Sequence, residues 1–126
     1  MVKILLVEDE ELLRGLYSKV LRDHKYEVEI AVDGEDALIK VNTFKPDVII
    51  LDIALPRLDG IGVLKILKAD PDLKKIPVIM FTSSPESNKL RECFEIGVTG
   101  YIMKDSSTPY QNVKRIGLII NRLSGG

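Results

Sequence analysis

Glu8-Asp9, Asp52, Thr82 and Lys104 each stand at the end of a short apolar run, and together they supply the parts for metal-assisted phosphoryl chemistry. Three carboxylates brought together by folding would repel one another, and the agents that can neutralise them are a bound cation and the Lys104 ammonium. Ligands offering only oxygen point to Mg²⁺, which holds near-octahedral oxygen geometry at ~2.0–2.1 Å and keeps several waters, leaving room for a phosphoryl oxygen. Asp52 is then the nucleophile, since a carboxylate can form an acyl phosphate. The cation and Lys104 would stabilise charge on the transferring group, and the Thr82 hydroxyl would hydrogen-bond a phosphoryl oxygen. Taken singly, Thr82 is a helix cap, Lys104 a surface amine and Asp52 a loop residue; only convergence makes them a site.

The apolar pattern supplies that convergence. Val48, Ile49, Ile50 and Leu51 form an unbroken aliphatic run that suits a strand covered on both faces of a parallel sheet, with Asp52 at its carboxyl end and Pro56 and Gly60 turning the chain away. Further strands are expected over residues 3–7, 26–32, 76–81 and 100–103. Between them, apolar residues recur at helical spacing: Leu12, Leu13, Leu16, Tyr17, Val20 and Leu21; Ala37, Leu38 and Val41; Val63, Leu64, Ile66 and Leu67; Leu90, Cys93, Phe94 and Ile96; Val113, Ile116, Ile120 and Leu123. Pro71 stops the third helix, Pro85 suits the start of the fourth, Gly97 ends it, and Ser106, Ser107 and Thr108 offer caps before Pro109 opens the fifth. Five strands alternating with five helices make an α/β fold, a parallel sheet with helices on both faces, and ligands gather at the carboxyl ends of its strands.

A chain of 126 residues is the size of one domain, and 18 basic against 19 acidic residues give a net charge of −1, so no overall field favours nucleic acid or a membrane surface. Cys93 is the only cysteine, which excludes an internal disulfide and fits a reducing compartment; its apolar neighbours place it in the core. The apolar runs fall far short of a membrane span of ~20 residues, so a soluble, cytoplasmic protein is expected. His24 reads as a surface or capping residue, and Lys65, Lys68, Lys74 and Lys75 as a solvated face or a small basic docking patch.

In this order and on these elements, the motifs closely resemble the receiver domains of two-component response regulators, especially the single-domain chemotaxis type. The carriers are Glu8-Asp9 after the first strand, Asp52 in Leu-Asp-Ile-Ala-Leu-Pro-Arg-Leu-Asp-Gly, Thr82 ending the fourth strand, and Lys104 ending the fifth with Tyr101 three residues earlier. The resemblance covers the whole chain and implies a flavodoxin-like, doubly wound sheet of order 2-1-3-4-5. It implies that Asp52 accepts a phosphoryl group from a phosphohistidine on a sensor histidine kinase or phosphotransfer protein. It also implies that Asp9, Asp52 and the backbone carbonyl of Ala54 bind Mg²⁺ directly, while Glu8 acts mainly through water. Thr82 and Lys104 would contact the phosphoryl group, and Thr82 and Tyr101 would form a switch that changes the face made by helix four, strand five and helix five for a downstream protein effector. The protein would act as a monomer or weak dimer, with catalysis confined to its own phosphorylation and dephosphorylation. A receiver over residues 1–124 with no output domain is expected, as a stand-alone regulator or an excised receiver.

Two other classes use the same residues. A Mg²⁺-dependent phosphohydrolase with an Asp nucleophile would want a second acid two residues after it, and Ala54 stands there. A receiver-like scaffold that is never phosphorylated would not need the intact acidic and lysine positions. Ala54 and Ser84, two residues beyond Asp52 and Thr82, also lack an acid or amide to orient an attacking water, so an unusually short phosphoryl lifetime is not expected. One departure from the family pattern stands beside the site: proline usually follows the strand-five lysine, but Asp105 does so here, where it could pair with Lys104. A cis bond before a non-proline residue would cost ~2.5–4 kcal/mol.

Overall fold

The computed structural model of the chain describes residues 1–83 and 87–125; Ser84 and Pro85, to which the sequence assigned a hydrolysis-tuning and a helix-starting role, lie outside the described residues. The elements alternate as expected: β1 (Lys3–Val7), α1 (Glu11–Asp23), β2 (Glu27–Ala31), α2 (Gly34–Phe44), β3 (Val48–Leu51), α3 (Gly60–Ala69), β4 (Val78–Thr82), α4 (Ser87–Ile96), β5 (Gly100–Met103) and α5 (Pro109–Gly125). The five strands form one parallel sheet in the order β2-β1-β3-β4-β5. This is the doubly wound, flavodoxin-like arrangement.

Strand alternation divides the core into two layers. Leu5 and Val7, Ile49 and Leu51, and Val78 and Met80 pack with Ala37, Val41, Val63, Leu64, Leu67 and Cys93 from α2, α3 and α4. Their alternates Ile4 and Leu6, Val48 and Ile50, and Ile79 and Phe81 pack with Tyr17, Leu21, Val113, Ile116 and Ile120 from α1 and α5. Each such aliphatic or aromatic side chain contributes roughly 1.5–3 kcal/mol by leaving water, and β3 is buried at all four positions because both layers meet on it.

Local chemistry sets the helix ends. The Asp33 and Asp59 carboxylates accept from the backbone N–H of Asp36 and Gly62 at 2.8 Å, capping α2 and α3, and Thr108 Oγ1 accepts from Gln111 N–H at 3.1 Å with Pro109 opening α5. Gly97, at φ +124°, ends α4 in a region of φ that side chains avoid. β4 begins at Val78, two residues later than residues 76–81 suggest, because Pro77 has no N–H to donate and Ile76 N–H closes a turn onto Leu73 O at 3.0 Å. β2 spans Glu27–Ala31, one residue shorter at each end than expected.

His24 is the capping residue the sequence suggests: its ring Nδ1 lies 2.9 Å from Val20 O at the end of α1. The lysine face is less uniform than expected. Lys65 pairs with Glu92 at 2.9 Å in solvent, but Lys68 is half-buried and donates to Lys74 O and Ile76 O, tying down the turn before β4. Burial lowers its pKa from the ordinary lysine value. Among the described residues no helix is long and apolar enough to cross a membrane.

The tightest constraint near the strand ends is Gly60. A Cβ there would lie 2.0 Å from Asp52 O and 2.7 Å from Ile53 Cα, both backbone atoms, while Gly60 N–H donates to Ile53 O at 2.8 Å. Gly60→Ala is expected to cost about 3 kcal/mol and lower the melting temperature by roughly 10 °C. Gly15→Ala, in exposed helix with nothing within 4 Å of the added carbon, should instead stabilise by ~0.5–1 kcal/mol. Thermal denaturation of the two variants against wild type checks both signs.

Candidate functional site

The alternation that sorts the core continues one residue past the strands. Val7 is in register with Leu51, and the ladder runs on through Glu8 N–H to Ala31 O (3.1 Å) and Asp52 N–H to Val7 O (3.3 Å). Glu8 follows Ile4 and Leu6, Asp52 follows Val48 and Ile50, and Lys104 follows Ile102, so all three continue the layer shared with α1 and α5. There they meet. The Lys104 ammonium donates to Asp52 Oδ2 at 2.9 Å and forms an ion pair with Glu8 Oε1, and it sits 5.1 Å from the centre of the Phe81 ring. Glu8, Asp52 and Lys104 are all buried, Glu8 completely.

Asp9, one residue on, takes the other direction and is exposed. Carboxylate oxygens of Glu8, Asp9 and Asp52 nonetheless lie within 4.8 Å of one another, a group able to hold a metal ion. The turn that carries them is pinned by Arg14, whose Nη1 donates to Glu8 O (3.2 Å) and Asp9 O (3.1 Å), and by Glu10 N–H donating to Glu8 Oε2 (3.0 Å). Ala54 N–H donates to Asp52 Oδ1 at 3.2 Å, placing the start of the β3–α3 loop against the nucleophile candidate.

Burial dominates the electrostatics. It raises the pKa of Asp52 and of Glu8 above the ordinary carboxylate values, and the bonds to Lys104 offset only part of that. Burial also works against the Lys104 ammonium, but its bonds to Glu8 and Asp52 outweigh it and leave the lysine pKa raised. Two buried carboxylates thus share one ammonium, with the Asp9 carboxylate beside them. Oxygen-only donors in a partly open, negatively charged pocket fit a hard divalent ion such as Mg²⁺.

Thr82 is buried at the end of β4, in register with Met103 of β5 and so beside the strand that delivers Lys104. Tyr101, paired with Met80 on the same strand, is 43% exposed, its ring edge-on to Phe94 of α4 at 5.9 Å.

The expected pairing of Asp105 with Lys104 does not form. Lys104 is drawn inward by two buried carboxylates, whereas Asp105 is exposed on a 3-10 turn spanning Lys104–Ser106, and the peptide between them is not cis. Glu8 forms an ion pair with Lys104 because its strand parity aims it inward, a contact that sequence order does not reveal. Three further neighbours escaped sequence reasoning: Phe81 beneath the ammonium, Tyr17 edge-on to Phe81 at 4.7 Å, and the buried Asn112. Asn112 did leave a signal, since it stands four residues before Ile116 and eight before Ile120 on the apolar stripe of α5.

The family model for the response regulator receiver domain matches residues 4–113. The alkaline phosphatase synthesis transcriptional regulatory protein PhoP of Bacillus subtilis is 39% identical over 120 residues, covering 95% of this chain and 49% of that protein. The DNA-binding response regulator MtrA of Mycobacterium leprae is 32% identical over 120 residues, covering 95% of this chain and 52% of that protein. The chain therefore spans about half the length of these curated relatives. Among solved structures, the chemotaxis protein CheY4 of Vibrio cholerae superimposes with a TM-score of 0.86 at 33% identity, covering 94% of this chain and 98% of that one. The Mn(2+)-bound form of response regulator Rcp1 gives 0.82 at 30% identity, covering 100% and 97%. With the sheet order, the acidic group and the matched residues all in agreement, the chain belongs to the receiver domains of two-component response regulators, a family of signalling modules rather than enzymes.

Proposed function

We propose that this chain is a phosphorylation-controlled signalling module in which Asp52 takes a phosphoryl group from a phosphohistidine on a sensor histidine kinase or phosphotransfer protein. The observation that carries the reading is the buried Lys104 ammonium held between Asp52 and Glu8, with the exposed Asp9 carboxylate at the mouth of the same pocket. A carboxylate oxygen of Asp52 attacks phosphorus in line, the P–N bond breaks, and its electron pair leaves with the imidazole. Lys104 has three N–H donors, of which Asp52 and Glu8 use two, so the third can meet a phosphoryl oxygen; the Thr82 hydroxyl can meet another. Asp9, Asp52 and the Ala54 carbonyl would hold Mg²⁺, with Glu8 behind them, and the ion would supply charge neutralisation to the transferring group. The Mn(2+)-bound form of Rcp1, a protein of similar fold, supports a divalent cation here.

Ala54 has no group that could protonate a leaving alcohol, which disfavours turnover of external phosphate esters. The output is binding. A phosphoryl group adds roughly two negative charges at the sheet edge, Thr82 can swing toward it, and the Tyr101 ring can then leave its exposed seat against Phe94 for the space beside β5. The face of α4, β5 and α5 would change for a cytoplasmic protein effector. A coupling of ~1–3 kcal/mol suffices for a useful switch.

Phosphorylation by acetyl phosphate with Mg²⁺, followed by mass spectrometry, should add one phosphoryl group, and Asp52→Ala should abolish it; labelling of that variant at the wild-type rate would sink the proposal. Saturating Mg²⁺, at about 100 times Kd, should stabilise the protein by ~2.7 kcal/mol, or roughly 10 °C. Asp9→Ala should remove most of that gain. Because the Glu8 and Asp52 pKa values are raised, protons should compete with the ion at a higher pH than ordinary carboxylates allow, so the gain must shrink as pH falls. Calorimetric melting with Mg²⁺ or EDTA across pH reads both effects. Tyr101→Ala should leave labelling of Asp52 nearly intact but weaken the phosphorylation-dependent gain in effector affinity; equal gains in variant and wild type would show that the signal takes another route.

A further inference from the structure

The 3-10 turn that begins at Lys104 carries Asp105, not a proline, directly after the lysine. A proline after the lysine would fix φ at about −65°, whereas Asp105 leaves that torsion free. Side chains hold the turn instead. Ser106 Oγ donates to Met103 O at 2.7 Å, Arg115 Nη1 of α5 donates to Ser106 Oγ at 3.0 Å, and Asn112 reaches in from below. The fully buried Asn112 Nδ2 points at three acceptors: Tyr17 Oη at 2.9 Å, Lys104 O at 3.2 Å and Ser107 O at 3.5 Å. One amide thus spans both ends of the turn and the adjacent helix α1.

An apolar residue would suit this position on packing grounds. Asn112 lies on the stripe of α5 that buries Val113, Ile116 and Ile120, and its Oδ1 makes no hydrogen bond among the described residues, a cost that a leucine would not carry. What the amide adds is geometry. Tyr17 completes it from the other side, because its hydroxyl bonds Asn112 while its ring stands edge-on to Phe81 at 4.7 Å and 74°, and Phe81 underlies the Lys104 ammonium. The pair therefore supports Lys104 twice, through its backbone carbonyl and beneath its charged tip.

We infer that Asn112, with Tyr17, is a positioning residue for Lys104, clamping the turn at its backbone so that the ammonium stays between Asp52 and Glu8 where a phosphoryl oxygen must be met. The inference rests on the proposed phosphoryl transfer, and the placement of Lys104 can be read independently of it. Asn112→Leu keeps the branched outline of the side chain, somewhat enlarged, and removes the amide; Tyr17→Phe keeps the ring on Phe81 and removes only the hydroxyl. Displacing a catalytic group by about 1 Å can cost ~10²-fold in rate. Asn112→Leu should therefore lower the maximal rate of labelling by acetyl phosphate about 10- to 100-fold. The half-saturating donor concentration and the Mg²⁺ affinity should stay within about twofold, because no ligand of either is touched. Tyr17→Phe should show the same split with a smaller fall, and it carries the test should Asn112→Leu not fold.

The independent reading is the ¹H–¹⁵N signal of the Lys104 ammonium in metal-free protein with ¹⁵N-labelled lysine. It should be protected in wild type and shifted or exchange-broadened in both variants, which no general loss of stability would single out. Wild-type labelling rates together with an unchanged ammonium signal in both variants would overturn the inference. If wild type takes up no phosphoryl group at all, the proposed function falls. The ammonium signal then decides the clamp alone, a change in the variants supporting it and constancy overturning it.

Discussion

Three carboxylates and one ammonium are confined to the carboxyl edge of the sheet, two of those carboxylates and the ammonium buried, and the rest of the molecule is arranged around that excess of negative charge. Burial alone would push Glu8 and Asp52 toward protonation, and Lys104 answers only part of it. The site would therefore gain from a cation held in oxygen geometry, and such a cation would also offset the negative charge of a phosphoryl group. Removing one member of such a cluster leaves its partner buried and unpaired, which usually costs more than the pair contributes. The cluster stands because both apolar layers of the core close beneath it, with β3 buried along its whole length.

Which residues join the cluster follows from strand parity. Glu8 and Asp52 lie one residue beyond aligned positions of β1 and β3, so the pleat that turns Ile4, Leu6, Val48 and Ile50 toward α1 and α5 turns these carboxylates the same way. Asp9 takes the opposite parity and meets solvent, giving the pocket one buried wall and one open one. A slip of a single residue in β1 would exchange the roles of Glu8 and Asp9.

Much of this was legible in the sequence, for identifiable reasons. The run Val48, Ile49, Ile50 and Leu51, short and β-branched, suits a strand covered on both faces, and five short apolar runs alternating with helical stripes point to one class of architecture. The gathering of Glu8, Asp9, Asp52, Thr82 and Lys104 at one edge follows from that architecture. What could not be read was who bonds whom. Asp105 stands next to Lys104 in sequence and seemed a partner, but contacts between residues 8, 52 and 104 depend on sheet order and register, which adjacency in the chain does not encode. Asn112 was passed over because a polar residue on an apolar stripe has meaning only once the carbonyls opposite it are known.

The two layers also divide the labour of the site. The proposed chemistry would occupy the layer shared with α1 and α5, where Lys104 rests on Phe81, Phe81 on Tyr17, and Tyr17 on Asn112. In the proposed function, signal output would run along β4 and β5, where Thr82 is in register with Met103 and Tyr101 stands edge-on to Phe94 of α4. The two meet at β5, since Tyr101 and Lys104 share four consecutive residues of chain. If the proposed function holds, stiffness on the chemical side would favour mobility on the other: with the Lys104 turn fastened by Asn112 and Ser106, a pull on Thr82 by a phosphoryl group would be absorbed less by moving the lysine. The strain would then fall on a half-exposed aromatic ring in edge contact with Phe94, and a ring with two packings a few kcal/mol apart is the kind of bistable part through which a local charge becomes a change of surface.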